Sequence, residues 1–205
     1  MSYVIIDESG RFADASSKVI VFSALVTESL VGLDKIVFQA RRKLPTKKKE
    51  HTLPEIKFSK TGENTKRHLL QSITKRDIDI FSLVVFTEGR KILDTPQNYA
   101  LLVSVLLGLV VKSGIKISHI IIDRHFTWTR QREQFDNLLQ QGLETDLFIE
   151  HLDSQQNAII SLPDFVAGAT RERYIKELTM LRDLFEAKIV KELKTSWREL
   201  KQQKR

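Results

Sequence analysis

The feature that most limits what this chain can become is a short β-branched run ending on a carboxylate, Tyr3-Val4-Ile5-Ile6-Asp7. The same pattern returns as Ile117 to Ile122 followed by Asp123. Runs of this length and composition read as strands, and Lys18–Thr27, Ile78–Thr87 and the shorter Leu147–His151 join them. Glu8-Ser9-Gly10 stops the first run ahead of Lys18–Thr27, which predicts strand, turn and strand, an antiparallel pair. Elsewhere the apolar period changes to that of a helix. Ser29–Leu44 carries Leu30, Leu33, Ile36, Val37 and Ala40 and must stop before Pro45. Further helices are predicted over Asn64–Lys75, from Thr95-Pro96 through Lys112, over Arg130–Gln141, from Ser161 towards Tyr174, and over Leu178–Lys201. The lysine-rich stretch Thr46–Thr52 reads as an exposed loop. An antiparallel opening followed by strand-helix units predicts an α/β fold: a mixed sheet with helices on both faces and a helical C-terminal end.

Composition narrows the function classes. With 205 residues, 41% hydrophobic and 29% charged, the chain suits one domain, with a core over about residues 1–175 and a basic helical extension over 176–205. It has no cysteine, so disulfides, thiolate metal sites and a cysteine nucleophile are excluded. The longest apolar run, Ala100–Val111, falls short of the roughly 20 residues that span a bilayer, so no membrane segment is expected. The first residues have neither the basic nor the apolar region of a secretory signal, and a cytoplasmic protein is expected. Net charge is +7, and Arg171–Arg205 holds eleven Lys or Arg against six Asp or Glu. Such a segment either neutralises the phosphates of a nucleic acid or is the solvated face of a helix.

Four carboxylates are candidate functional groups. Asp7 and Asp123 each close a strand, where an open α/β sheet binds its ligands, although each could also simply begin a turn. Two carboxylates held together repel and raise each other's pKa, and a bound cation keeps both ionised. Asp164, in Ser161-Leu162-Pro163-Asp164, could close a capping box with Ser161 or could ligate a metal. Glu55 lies in a loop two residues before Lys57 and by itself reads as a surface charge. Ser154, after Asp153, could orient a ligand or form a turn, and His119, His125 and His151 flank the same strand ends. No histidine spacing suggests zinc, and neither a glycine-rich phosphate loop nor a Gly-x-Ser-x-Gly elbow is present.

Taken together, Tyr3-Val4-Ile5-Ile6-Asp7-Glu8-Ser9-Gly10, Glu55-Ile56-Lys57, Ile120-Ile121-Ile122-Asp123 and Asp153-Ser154 followed by Leu162-Pro163-Asp164-Phe165-Val166-Ala167-Gly168-Ala169 resemble the DUF3800 family. The resemblance covers about the first 170 residues, and Tyr99 resembles a tyrosine often found there in that family. It implies an RNase H-like fold in which Asp7, Glu55, Asp123 and Asp164 converge. The family more often has an apolar residue and alanine where this chain has Leu162-Pro163. Oxygen-only ligands suit Mg²⁺ or Mn²⁺, and two such ions stabilise the attacking and leaving oxygens of a phosphodiester. The expectation is therefore a metal-dependent nuclease acting on DNA or RNA. Asp7 would bridge the two ions and Lys57 contact a phosphate, with Ser9, Ser154 and His125 as supporting candidates around the substrate. The competing readings are a nucleic-acid-binding module that does not cleave, using Lys47-Lys48-Lys49 and the basic C-terminal end, and a metal-dependent phosphatase on a small ester.

Overall fold

The computed structural model describes residues 2–44, 56–143 and 147–202. Six strands form one sheet: β1 (Ser2–Ser9), β2 (Val19–Thr27), β3 (Asp79–Phe86), β4 (Ile117–Asp123), β5 (Phe148–Leu152) and β6 (Ile189–Ser196). Their order across the sheet is β5-β4-β1-β2-β3-β6. β2 runs antiparallel to both of its neighbours, while β1 with β4, β4 with β5 and β3 with β6 pair in parallel. All nine residues of β2 are buried, which accounts for a sequence that is apolar except at Ser23 and Thr27.

Side chains alternate between the two faces of a strand, so the two cores can be read from β1 and β4. Val4, Ile6, Ile120 and Ile122 pack on one side with α3 (Pro96–Lys112), α4 (Thr129–Leu143) and the short α7 (Trp197–Gln202). Ile5 and Ile121 pack on the other with α1 (Leu33–Arg42), α2 (Glu63–Thr74) and α5 (Ser161–Lys176). α3 is apolar nearly all round because it lies between the sheet and α4. Its start follows the sequence closely: Thr95 caps it by accepting the Asn98 N–H at 3.3 Å, with Pro96 in the first turn. The lysine-rich loop expected over Thr46–Thr52 lies outside the described residues.

One expected element is corrected. Leu178–Lys201 is not a helix, and the segment after residue 176 is not a helical extension: it forms the short α6 (Met180–Asp183), the strand β6 and α7. The segment contains no Gly, Pro or Asn to mark a break, and its leucines fit a helical period. Tertiary structure overrides that period, because the outer edge of β3 carries a full row of backbone donors and acceptors for Ile189–Ser196 to satisfy. Lys191 is exposed on the new outer edge, and charge there discourages pairing with another chain.

A buried ion network ties this segment down. Arg182, 2% exposed, donates to Glu186 and, at 3.0 Å, to Glu192 of β6, while the Tyr174 hydroxyl of α5 donates to the other Glu192 oxygen. Replacing Arg182 by Met strands the Glu192 carboxylate beneath the surface. The variant is expected to lose about 3–5 kcal/mol of stability in urea unfolding, and parental stability would show that the network does not anchor β6.

Candidate carboxylate site

β1 and β4 lie side by side in parallel, with Ile6 opposite Ile122. The next residue of each strand is an aspartate, so Asp7 and Asp123 stand as neighbours on strands about 4.8 Å apart, and β1 runs on past Asp7 to Ser9, paired with β2 beyond the stop expected at Glu8-Ser9-Gly10. Both continue the face of Ile5 and Ile121, the face covered by α5. Asp164 stands in the first turn of α5, and its charge, with those of Glu8 and Asp123, reaches Asp7. Asp7 is only 9% exposed. Burial, then the charges of Glu8, Asp164 and Asp123, push its carboxyl well above the ordinary value, against one backbone hydrogen bond from Glu8 at 2.8 Å. Asp123 is raised for the same reasons, burial first and Glu8 second; Lys57 and the N–H groups of Ser154 and Arg124 hold it back. Those N–H groups donate to one Asp123 oxygen at 3.3 and 3.0 Å.

Asp164 is neither a helix cap nor part of a capping box. Ile160 occupies the N-cap position without a side-chain bond, and Asp164 instead accepts the Phe58 N–H at 2.8 Å, while Ser161 accepts the Ile56 N–H at 3.1 Å. The two polar side chains of the first turn thus clamp Ile56-Lys57-Phe58 against α5 and hold Lys57 where its charge is felt by Asp123. The approach is close enough to require Gly168, since a Cβ there would come within 2.4 Å of the Phe58 ring.

A polar network backs the cluster on the opposite face of β1. Glu8 accepts the Tyr99 hydroxyl at 2.6 Å and pairs with His125 Nδ1 at 3.1 Å, and His125 Nε2 meets Asp94 at 2.6 Å. The imidazole is stacked on the Tyr99 ring, with centroids 4.2 Å apart. Burial alone would raise Glu8 and lower His125. The hydrogen bonds and charges between them outweigh it, so Glu8 lies below its ordinary value and His125 is pushed up to about 9. Tyr99, 1% exposed, is raised well above 10 by burial and by Glu8.

Of the residues singled out in the sequence, the structure brings together Asp7, Asp123, Asp164 and Lys57, with Ser9 further along the same face of β1. Glu55, like Lys47-Lys48-Lys49, lies outside the described residues. Ser154 contributes its backbone N–H, held in place by a turn in which Asp153 pairs with Arg124 at 2.6 Å. His125 joins the backing network, whereas His119 of β4 pairs with Glu150 of β5, and His151 of β5 with Asp136 of α4. Asp94 is a member of the network that no sequence pattern marks, and Glu8 stands in the Asp7-Glu8-Ser9-Gly10 run without a role that the sequence assigns. Strict alternation turns Glu8 away from Asp7, yet its charge acts on both aspartates from the opposite face.

Among the described residues no group of three or more His and carboxylate side chains is arranged to hold a metal ion. The donor chemistry fits one nonetheless. All donors are oxygen, and the buried Asp7 forms no ion pair among the described residues, so a hard divalent cation would supply the charge that keeps it ionised. Among the described residues no helix is long and apolar enough to cross a membrane.

No protein-family model matches the chain, and no curated protein matches it. Its fold is similar to that of ribonuclease H2 from Pyrococcus horikoshii OT3, with a TM-score of 0.55 and 19% identity over 92% of this chain and 81% of that one. It is equally similar to the Archaeoglobus fulgidus RNase HII solved in complex with PCNA: TM-score 0.55, 14% identity, 93% of this chain and 82% of that one. A mutant of Bst-RNase HIII matches with a TM-score of 0.50 and 15% identity over 87% of this chain and 54% of that one. The fold is therefore of the RNase H type.

The backing network has a pH signature. His125 is raised from 6.5 to about 9, so the stability it contributes is complete below pH 6.5 and lost as pH rises through about 9. Replacing His125 by Phe keeps an aromatic ring to stack on Tyr99 and removes the charge. The fall in melting temperature between pH 6.5 and 9 should be smaller in that variant than in the parent; an equal fall would show that His125 is not held protonated by Glu8 and Asp94.

Proposed function

We propose that this chain is a divalent-metal-dependent nuclease that hydrolyses phosphodiester bonds at the carboxylate cluster. The observation that carries the reading is the pairing of β1 with β4, which sets the buried Asp7 and the half-buried Asp123 side by side, two mutually repelling carboxylates, with Asp164 facing them from α5. Repulsion of this kind is unfavourable in the absence of a cation, and a fold that maintains it has a use for the charge. The RNase H-type fold agrees with this use without establishing it.

In this reading Asp7, Asp123 and Asp164 would hold Mg²⁺ or Mn²⁺, with Glu55, the residue preceding Ile56, completing the set. Bound ions supply an activated water and offset the charge that develops on the leaving oxygen. The chain's own groups do the positioning. Ser154 and Arg124 donate to one oxygen of Asp123 and so fix its orientation. Glu8, held by Tyr99 and His125, adds negative charge behind the cluster and strengthens its hold on a cation. Lys57, clamped beside the cluster by α5, meets a phosphate oxygen of the nucleic acid. Kinship with the DUF3800 family, resting on Asp7-Glu8-Ser9-Gly10 and on Asp164 in its helix, belongs to the same proposal.

The test is Mn²⁺-dependent cleavage of a panel of RNA strands, DNA strands and RNA–DNA duplexes by the parent and by Asp7→Asn and Asp123→Asn. Both variants are expected to lose more activity than the roughly 10- to 100-fold typical of changes to an outer-shell partner. The metal-free melting temperature of Asp7→Asn should be no lower than the parent's, because a repelled buried charge has been removed. Cleavage at the parental rate by both folded variants would refute the assignment.

A further inference from the structure

Beside the cluster runs a polar groove of about 290 Å³ whose lining includes Ser9, Ser59, Lys66, Arg171, Glu172 and Lys176. Two elements place it next to the carboxylates. Ser9 follows Asp7 by two residues on the same face of β1, about 6.8 Å along the strand. Arg171 follows Asp164 by seven residues on α5, the spacing of one helix face, about 10 Å along the axis. Gly168, between them on that face, keeps the wall of the groove low enough for Phe58 to lie against it.

The charges are three cations against one carboxylate. Glu172 is shared by Lys66 at 3.6 Å and Lys176 at 2.9 Å, and Lys66 also lies 3.6 Å over the Phe58 ring. Arg171 makes no ion pair with a carboxylate among the described residues. Its Nε donates to the Val19 carbonyl at 3.0 Å, which holds the half-buried side chain in place. Burial, then the charge of Arg11 close by, lowers its affinity for its proton, so two guanidinium groups stand near each other at this end of the groove. A cationic groove with two hydroxyls and an arginine held by a backbone carbonyl suits a phosphate.

We infer that this groove seats a second backbone phosphate of the strand whose scissile phosphate lies at Asp7, Asp123 and Asp164, which makes the substrate a polynucleotide rather than a small phosphate ester. The inference rests on the nuclease reading. It adds a binding position that a phosphatase acting on a lone ester would not use, and it assigns the electrostatic contact to Lys66, Arg171 and Lys176.

The test is binding of fluorescein-labelled RNA, DNA and RNA–DNA duplex, followed by anisotropy in Ca²⁺ over a range of salt. Arg171→Gln should weaken binding several-fold and reduce the slope of log affinity against log salt by about 0.9 for a duplex or about 0.7 for a single strand. Lys176→Gln, at an exposed side chain, should act in the same direction, and Glu172→Gln should tighten binding. Mn²⁺-dependent hydrolysis of bis(p-nitrophenyl) phosphate, which fills only the scissile position, should be the same in Arg171→Gln as in the parent. A folded Arg171→Gln variant with parental affinity and slope overturns the inference; if that variant does not fold, parental behaviour of Lys176→Gln does so. A parent that binds none of the three probes overturns it as well. A parent that binds with these charge dependences yet cleaves no phosphodiester in Mn²⁺ refutes the nuclease reading and leaves the groove as a polynucleotide-binding site.

Discussion

Parallel pairing of β1 with β4 is the interaction on which the rest of the site depends. With Ile6 opposite Ile122, the aspartates that follow them, Asp7 within β1 and Asp123 at the end of β4, come to adjacent positions on one face. A slip of one residue in either strand would turn its acid to the opposite core, so the register is set by the same alternation that buries Ile5 and Ile121 against α5. Hydrophobic burial thereby holds in place a charge arrangement that electrostatics alone would disperse. Asp7 is raised by burial and by three neighbouring acids, and the fold tolerates this because its core is anchored by many apolar contacts elsewhere.

The cluster is supported from both sides of the sheet. On one side α5 uses Ser161 and Asp164 to hold Ile56-Lys57-Phe58 by its backbone N–H groups, so one acid both contributes charge and fixes the segment that carries Lys57. On the other, Glu8 is paired with His125 and oriented by Tyr99, which holds a part-buried carboxylate on the opposite face from Asp7. Chemistry at the exposed end of the sheet is thus backed by hydrogen bonds that are already made.

Much of this is legible in the residues. The strands that carry Asp7 and Asp123, the Thr95-Pro96 helix start and the mixed sheet all come from patterns whose physical cause is local: β-branched runs, helical spacing and capping. What local patterns do not show is set by distant partners. Ser161-Leu162-Pro163-Asp164 looks like a capping box, yet both side chains bond to a segment about a hundred residues earlier. Leu178–Lys201 has the spacing of a helix, but the unpaired edge of β3 draws Ile189–Ser196 into the sheet. Glu8 is hidden by alternation, since nothing near it in sequence reveals that Tyr99 and His125 wait on its side.

Diffraction from crystals soaked in Mn²⁺, measured at a wavelength where manganese scatters anomalously, tests the central claim most directly. An anomalous peak within about 2.0–2.6 Å of carboxylate oxygens of both Asp7 and Asp123, at the ligand distances of hard divalent cations, is the predicted result. A fully soaked crystal with no anomalous density between these two residues would contradict the account, because their repulsion would then have no cation to relieve it.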